Sequence, residues 1–186
     1  GLLDKKFILL LWISFLNPIY LVYLMQNIKL IYMPIINDDH FLSYCIVLVT
    51  VSAVAGAPIW GYLGDLKGFR ITLLWITIFD SVVKLFGIYC TSKWSLSILF
   101  FLLGANDKGL LTIIGPGLIG MFGIEMATEL IPYKGLALIL CYVIAPILQI
   151  LLADIASFQN LLQIYFVASA IGICVAVYLK YKIHYK

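Results

Sequence analysis

The stretch "GYLGDLKGFR", residues 61–70, lies between two long apolar runs. Its ten positions hold three glycines, Asp65, Lys67 and Arg70, the chain's single arginine. The rest of the chain is very different. Of 186 residues, 64% are hydrophobic and only 11% are charged, and the mean hydropathy is +1.10. Soluble domains are about half apolar and about a quarter charged. About 20 apolar residues cross about 30 Å of hydrocarbon, and runs of that length recur on both sides of residues 61–70. The stretch therefore reads as a polar turn between two membrane spans, and a soluble globular domain is excluded.

Working outward from this turn, the sequence predicts six transmembrane helices in one bundle over residues 1–186. The spans are about 7–33, 41–63, 71–90, 95–127, 136–155 and 161–178. Breakers fall at the joins: Pro34 with Asn37-Asp38-Asp39, the turn at 64–68, Ser92-Lys93, and Pro132 to Gly135. Strands are excluded because the runs are about 20 residues long without alternation. With the N-terminus on one side, that side carries Lys5, Lys6, Lys67, Arg70, Lys134, Lys180, Lys182 and Lys186. The opposite side carries only Lys93. By the positive-inside rule both termini face the cytoplasm or its organellar equivalent. The fourth span is too long for a simple crossing, since its helix would reach about 50 Å. It must tilt, protrude or break, and Gly115-Pro116-Gly117 is the expected break or kink.

Several chemistries have no support. No basic patch with interleaved aromatics exists, so nucleic acid is not an expected partner. Cys45, Cys90, Cys141 and Cys174 are far apart and form no C-x-x-C; they read as small core residues. His40 and His184 have no partner at metal spacing, so no metal or cofactor is expected. No phosphate-binding G-x-x-x-x-G-K-[ST] loop is present. No cluster of catalytic groups converges, so the expected class is not an enzyme. Lys5-Lys6 before an apolar run mimics a signal peptide, but the run is too long and no small-residue cleavage pattern follows.

Gly61, Leu63, Asp65, Gly68 and Arg70 fall in the spacing G-x-L-x-D-x-x-G-x-R. This resembles the signature between the second and third helices of either half of a major facilitator transporter. The physics suits the place: Gly61 lets two helices approach, Gly68 permits a tight turn, and Asp65 can face a helix N-terminus. Leu66 and Phe69 stand where that family usually has basic residues. "KFILLLWISFLNPIYLVYLMQNIKLI" (6–31) and "GMFGIEMATELIPYKGLALILCYVIAP" (120–146) look like the seventh, and the tenth and eleventh, helices of its nodulin-like and oxalate/formate-antiporter-like (monocarboxylate-type) branches. The start at Gly1 and the basic tail "LKYKIHYK" (179–186) also fit a C-terminal half. The resemblance implies one six-helix repeat, with a substrate site near the bilayer midplane where two halves meet.

Polar residues inside the spans are the candidate pathway, because a charge at bilayer depth costs about 2.5–3.5 kcal/mol. Asp80 and Lys84 are one helical turn apart with the acid first, the favoured order for an ion pair. They read either as a coupled pair lining a cavity, or as a structural pair with Lys84 neutralised or snorkelling. Asn106, Asp107 and Lys108 lie about 18 Å into the fourth span by helix rise. Consecutive side chains point about 100° apart, so Asp107 and Lys108 are not expected to face one cavity squarely. The resemblance adds that Lys108 falls near a membrane-buried arginine of many N-terminal halves, which makes it the leading anion-facing cation. Asn17-Pro18, Gln26-Asn27 and Gln149 complete the set. Glu125 and Glu129 are expected at the inner end of the fourth span, near Lys134 or Arg70, and Asp154 at the outer interface. Spans 41–63 and 136–155 contain no Lys or Arg, unlike oxalate-type members, which argues against an oxalate-like substrate.

The expected function is secondary transport of a small metabolite, an anion where Lys108 faces it, with a second six-helix half as partner and the lipid bilayer as solvent. The alternative is a transporter-derived structural subunit that packs against neighbouring membrane subunits.

Overall fold

A computed structural model describes residues 5–152 and 158–182. Among them the chain forms six helices and no strand: α1 (Lys5–Ile36), α2 (Asp39–Lys67), α3 (Phe69–Ile88), α4 (Lys93–Phe122), α5 (Ile124–Leu152) and α6 (Phe158–Lys182). Five of them, α1 to α5, are long and apolar enough to cross a membrane; α6 carries a shorter apolar stretch, Gln163–Leu179. This is compatible with a multi-pass integral membrane protein.

The joins are short and chemically specific. Asp38 caps α2 by accepting the Phe41 N–H at 3.0 Å. Ser92 and Ser95 form a reciprocal capping box at the start of α4. Such caps satisfy the orphan amides of a helix start. Gly68 and Gly123, the single-residue joins before α3 and α5, have φ of 80° and 81°, a region glycine enters without a Cβ penalty.

Two expected boundaries are corrected. The fourth span, expected over 95–127 with a break or kink at Gly115-Pro116-Gly117, stays helical through Pro116, which excludes the break, and stops at Phe122. Pro132 to Gly135, expected as a join, lies inside α5. Glu125 and Glu129 therefore belong to the first turns of α5 and are exposed. Lys134 is also on α5, where its Nζ donates to the Leu111 carbonyl of α4 at 2.8 Å. A proline inside a membrane helix is tolerated when neighbours satisfy the freed backbone groups. Asp154 and His184 lie outside the described residues.

The core falls into two apolar clusters. One joins Ile19–Tyr32 positions of α1 to Leu42, Val83, Leu99, Leu103, Cys141 and Tyr165. The other joins Phe7, Leu10 and Ile13 to Phe69, Ile76, Leu110, Leu118, Leu130 and Leu179. Each helix thus runs from one cluster to the other, and the described ends of α1 and α6 lie at the same end of the bundle. Helix α1 is the centre: it contacts all five other helices.

Between α2 and α4 the backbones nearly touch. A Cβ on Gly56 would lie 2.1 Å from the Ala105 carbonyl oxygen, and one on Gly104 would lie 2.3 Å from that of Val49. Small residues allow this approach, which dispersion and packing reward in lipid.

Candidate functional site

The two apolar clusters meet at a layer of buried polar groups. Asn17, Asp80, Ser81, Lys84, Asn106 and Ser169 all lie at this level and are buried. Lys84, with no exposed surface, has three ammonium protons and three acceptors. It donates to the Asn17 carbonyl at 2.7 Å, to Ser169 Oγ at 3.2 Å, and to Asp80 Oδ2 in an i,i+4 ion pair. The Asp80 carboxylate also accepts from Ser169 Oγ at 2.8 Å and from Asn106 Nδ2 at 3.2 Å. Four helices are tied through one ion pair: α1, α3, α4 and α6. The Tyr20 ring lies 5.5 Å from the ammonium, a cation–π contact in a dry setting.

Burying two charges is costly unless the geometry and the remaining hydrogen bonds are complete. Here both partners are nearly saturated. Lys84 does not snorkel; it ends in the bundle interior.

A cleft of about 770 Å³ opens beside this layer between α1, α2, α4 and α5. Pro18, Leu21, Ala53 and Leu138 form much of its apolar wall, and Asp107 and Lys108 with the hydroxyl residues Thr50, Thr112 and Tyr142 supply its polar groups. Asp107 and Lys108 both line it, although their neighbouring positions argue against a shared cavity. The cleft is wide enough to take both, and their side chains turn toward each other, Nζ to Oδ2 at 3.4 Å. The Lys108 side chain is 49% exposed against 19% for Asp107. Lys108 therefore has free capacity toward the cleft.

The other expected pathway residues separate. Asp80, Lys84 and Asn106 are sealed behind the cleft and do not line it. Asn27 is buried and its Nδ2 donates locally to the Tyr23 carbonyl at 3.0 Å; Gln26 is exposed. Gln149 lies in α5, its side chain outside the described residues.

The stretch 61–70, expected as a turn over 64–68, is the end of α2, the Gly68 join and the start of α3; it is held from α3, where Thr72 Oγ1 donates to the carbonyls of Leu63 and Gly68, both at 3.1 Å. Gly61 faces Thr112 of α4, and exposed Asp65 lines a second cavity of about 320 Å³ with Thr112, Ile113 and Pro116. Arg70, the last residue of the motif, sits in the first turn of α3.

At the opposite end of the bundle, Lys93 pairs with Asp38, and Lys29 with Asp39 at 2.6 Å. The Lys93 ammonium and the Phe41 amide hold the Asp38 carboxyl below its ordinary range.

Ser169 and the Asn17 carbonyl escaped sequence reasoning. The available signal was the small-residue run Ala168-Ser169-Ala170 with Gly172 on α6, which permits close approach to α3. Among the described residues no group of three or more His, Cys, Asp or Glu could hold a metal ion. No protein-family model, no curated protein and no solved structure matches the chain.

Proposed function

We propose that the chain is one six-helix half of a major facilitator-type secondary transporter, and that its cleft is half of the pathway for a small, anionic metabolite. The observation that carries this reading is the 770 Å³ cleft at mid-depth of the bundle with a half-exposed lysine, Lys108, on its wall. Small-molecule sites span about 300–1,000 Å³, mostly apolar with a few placed polar groups. Lys108 pairs with Asp107 and is still half-exposed; a charge exposed at this depth is costly in lipid, and is stable where the cleft holds water or a ligand.

Alternating access needs each half to move as a rigid body about the fixed site. The Asp80–Lys84 layer and the glycine-packed α2/α4 pair supply that rigidity. Helices α1, α2, α4 and α5 wall the cleft on this chain's side, and in this reading a second six-helix half completes the pathway.

The test is uptake by the whole transporter in membrane vesicles, measured with a panel of radiolabelled small carboxylic acids. Lys108→Ala abolishes saturable uptake while membrane insertion is retained. Unchanged transport kinetics in that variant overturn the site assignment. Absence of uptake for every acid, together with co-purification of unrelated membrane subunits, favours a structural subunit instead.

A further inference from the structure

Behind the cleft wall lies a second, much smaller space. Its volume is about 10 Å³, and Asn17, Asp80, Asn106 and Asp107 line it together with Ile76 and Leu110. The Asn17 side chain is 6% exposed at the residue level, and neither its Nδ2 nor its Oδ1 has a partner in the protein. Asn106 Oδ1 is likewise buried without one. Buried polar atoms are almost always hydrogen-bonded to protein or to ordered water. Three unanswered amide atoms on two residues that line one small space, one donor and two acceptors, therefore call for a group that both donates and accepts.

We propose that this space is a built binding site for a single water molecule, which joins the sealed Asp80–Lys84 ion pair to the cleft carboxylate Asp107. One water needs about 10–15 Å³ and two to four polar partners, and the site offers both. Asn17 Nδ2 donates to the water oxygen. The water's two protons go to acceptors among Asn17 Oδ1, Asn106 Oδ1 and the Asp107 carboxylate. Asn106 Nδ2 already donates to Asp80, so the amide of Asn106 connects the water to the ion pair. Asp107 lines both this space and the cleft, and so forms the partition between them. The other charged groups of this region are Lys84 on α3, already saturated, and Lys108 on α4, on the cleft side. The polar layer and the cleft then form one hydrogen-bonded unit reaching from α6 to the cleft side of α4. This assignment does not depend on transport: a protein that moves nothing would still hold the water.

The experiment is X-ray hydroxyl-radical footprinting of the purified protein in oxygen-18 water, read by mass spectrometry. Radicals formed from a trapped water label the aliphatic groups beside it. Ile76 and Leu110 take up oxygen-18, whereas Ile13 and Leu99, equally buried but away from the site, do not. Asn17→Leu fills the space and abolishes the labelling; should that variant fail to fold, Asn106→Leu removes the same hydration and serves instead. Ile76 and Leu110 as unlabelled as Leu99 in the wild-type protein overturn the proposal. So does a thermal stabilisation given by sodium chloride and not by potassium or choline chloride, which assigns the site to a sodium ion.

Discussion

Ser169 of α6 donates a 2.8 Å hydrogen bond to the buried carboxylate of Asp80 on α3. The same hydroxyl accepts from Lys84 at 3.2 Å, so one small side chain serves both members of the ion pair. Removing one partner leaves an uncompensated buried charge, which costs about 3–5 kcal/mol. Lys84→Ala and Asp80→Ala should each lose about that much stability in detergent unfolding. The double replacement Asp80→Leu with Lys84→Met should be far closer to wild type than the sum of the single losses, because two desolvation penalties vanish together. Ser169→Ala should fall between, at about 1.5–3 kcal/mol, the range for hydrogen bonds to charged groups.

Glycines in one helix pair should respond with opposite signs. Gly56→Ala drives a Cβ to 2.1 Å from the Ala105 carbonyl oxygen, and Gly104→Ala drives one to 2.3 Å from that of Val49. Backbone cannot yield as a side chain can, so both variants should force α2 and α4 apart and reduce the yield of folded protein. A Cβ added at Gly115, also on α4, would meet nothing within 4 Å. Gly115→Ala should be neutral or stabilising by up to about 1 kcal/mol, the helix-propensity difference. Size-exclusion recovery and thermal shift compare the three.

The Asp38–Lys93 pair should make the α1–α2 end of the bundle sensitive to acid. The folded Asp38 carboxyl titrates below its ordinary value because Lys93 and the Phe41 amide favour its charged form. A lowered folded pKa contributes stability that is fully present above the unfolded value, about 3.9. That contribution is lost as pH falls through the folded value. Amide exchange at Phe41 and Leu42, expressed as protection relative to the intrinsic rate at each pH, should be high at neutral pH and fall below about pH 4. Asp38→Asn should show the lower protection already at neutral pH and abolish the acid dependence.

The helical class, the joins at 37–38, 68 and 89–92, and the Asp80–Lys84 pairing were legible from local signals. Those signals were apolar run length, glycine and cap residues, and a four-residue spacing. The α4–α5 boundary was not. Gly115-Pro116-Gly117 and Pro132 carry the strongest local breakers, yet helix continues through both, as is tolerated in helices apolar enough to cross a membrane, where neighbours satisfy the freed backbone groups. The actual break, at Gly123, is marked only by the isolated glycines Gly120 and Gly123, a weaker local signal than Gly-Pro-Gly. The partners of Lys84 were equally hidden, since Ser169 reaches Asp80 only after α6 packs on α3. The shared cleft of Asp107 and Lys108 depends on its width, which no spacing rule reports.

The central claim is that the cleft between α1, α2, α4 and α5 is an aqueous pathway, and cysteine accessibility tests it most directly. With Cys174, the exposed native cysteine, replaced by alanine, Thr112→Cys or Ala57→Cys places a thiol on the cleft wall. Val82→Cys places one on the exposed outer face of α3. A membrane-impermeant maleimide, applied to the protein in vesicles, should modify the two cleft thiols and spare position 82. Modification at position 112 should also slow when a transported acid is present. Cleft thiols as inert as the one at position 82 would contradict the account.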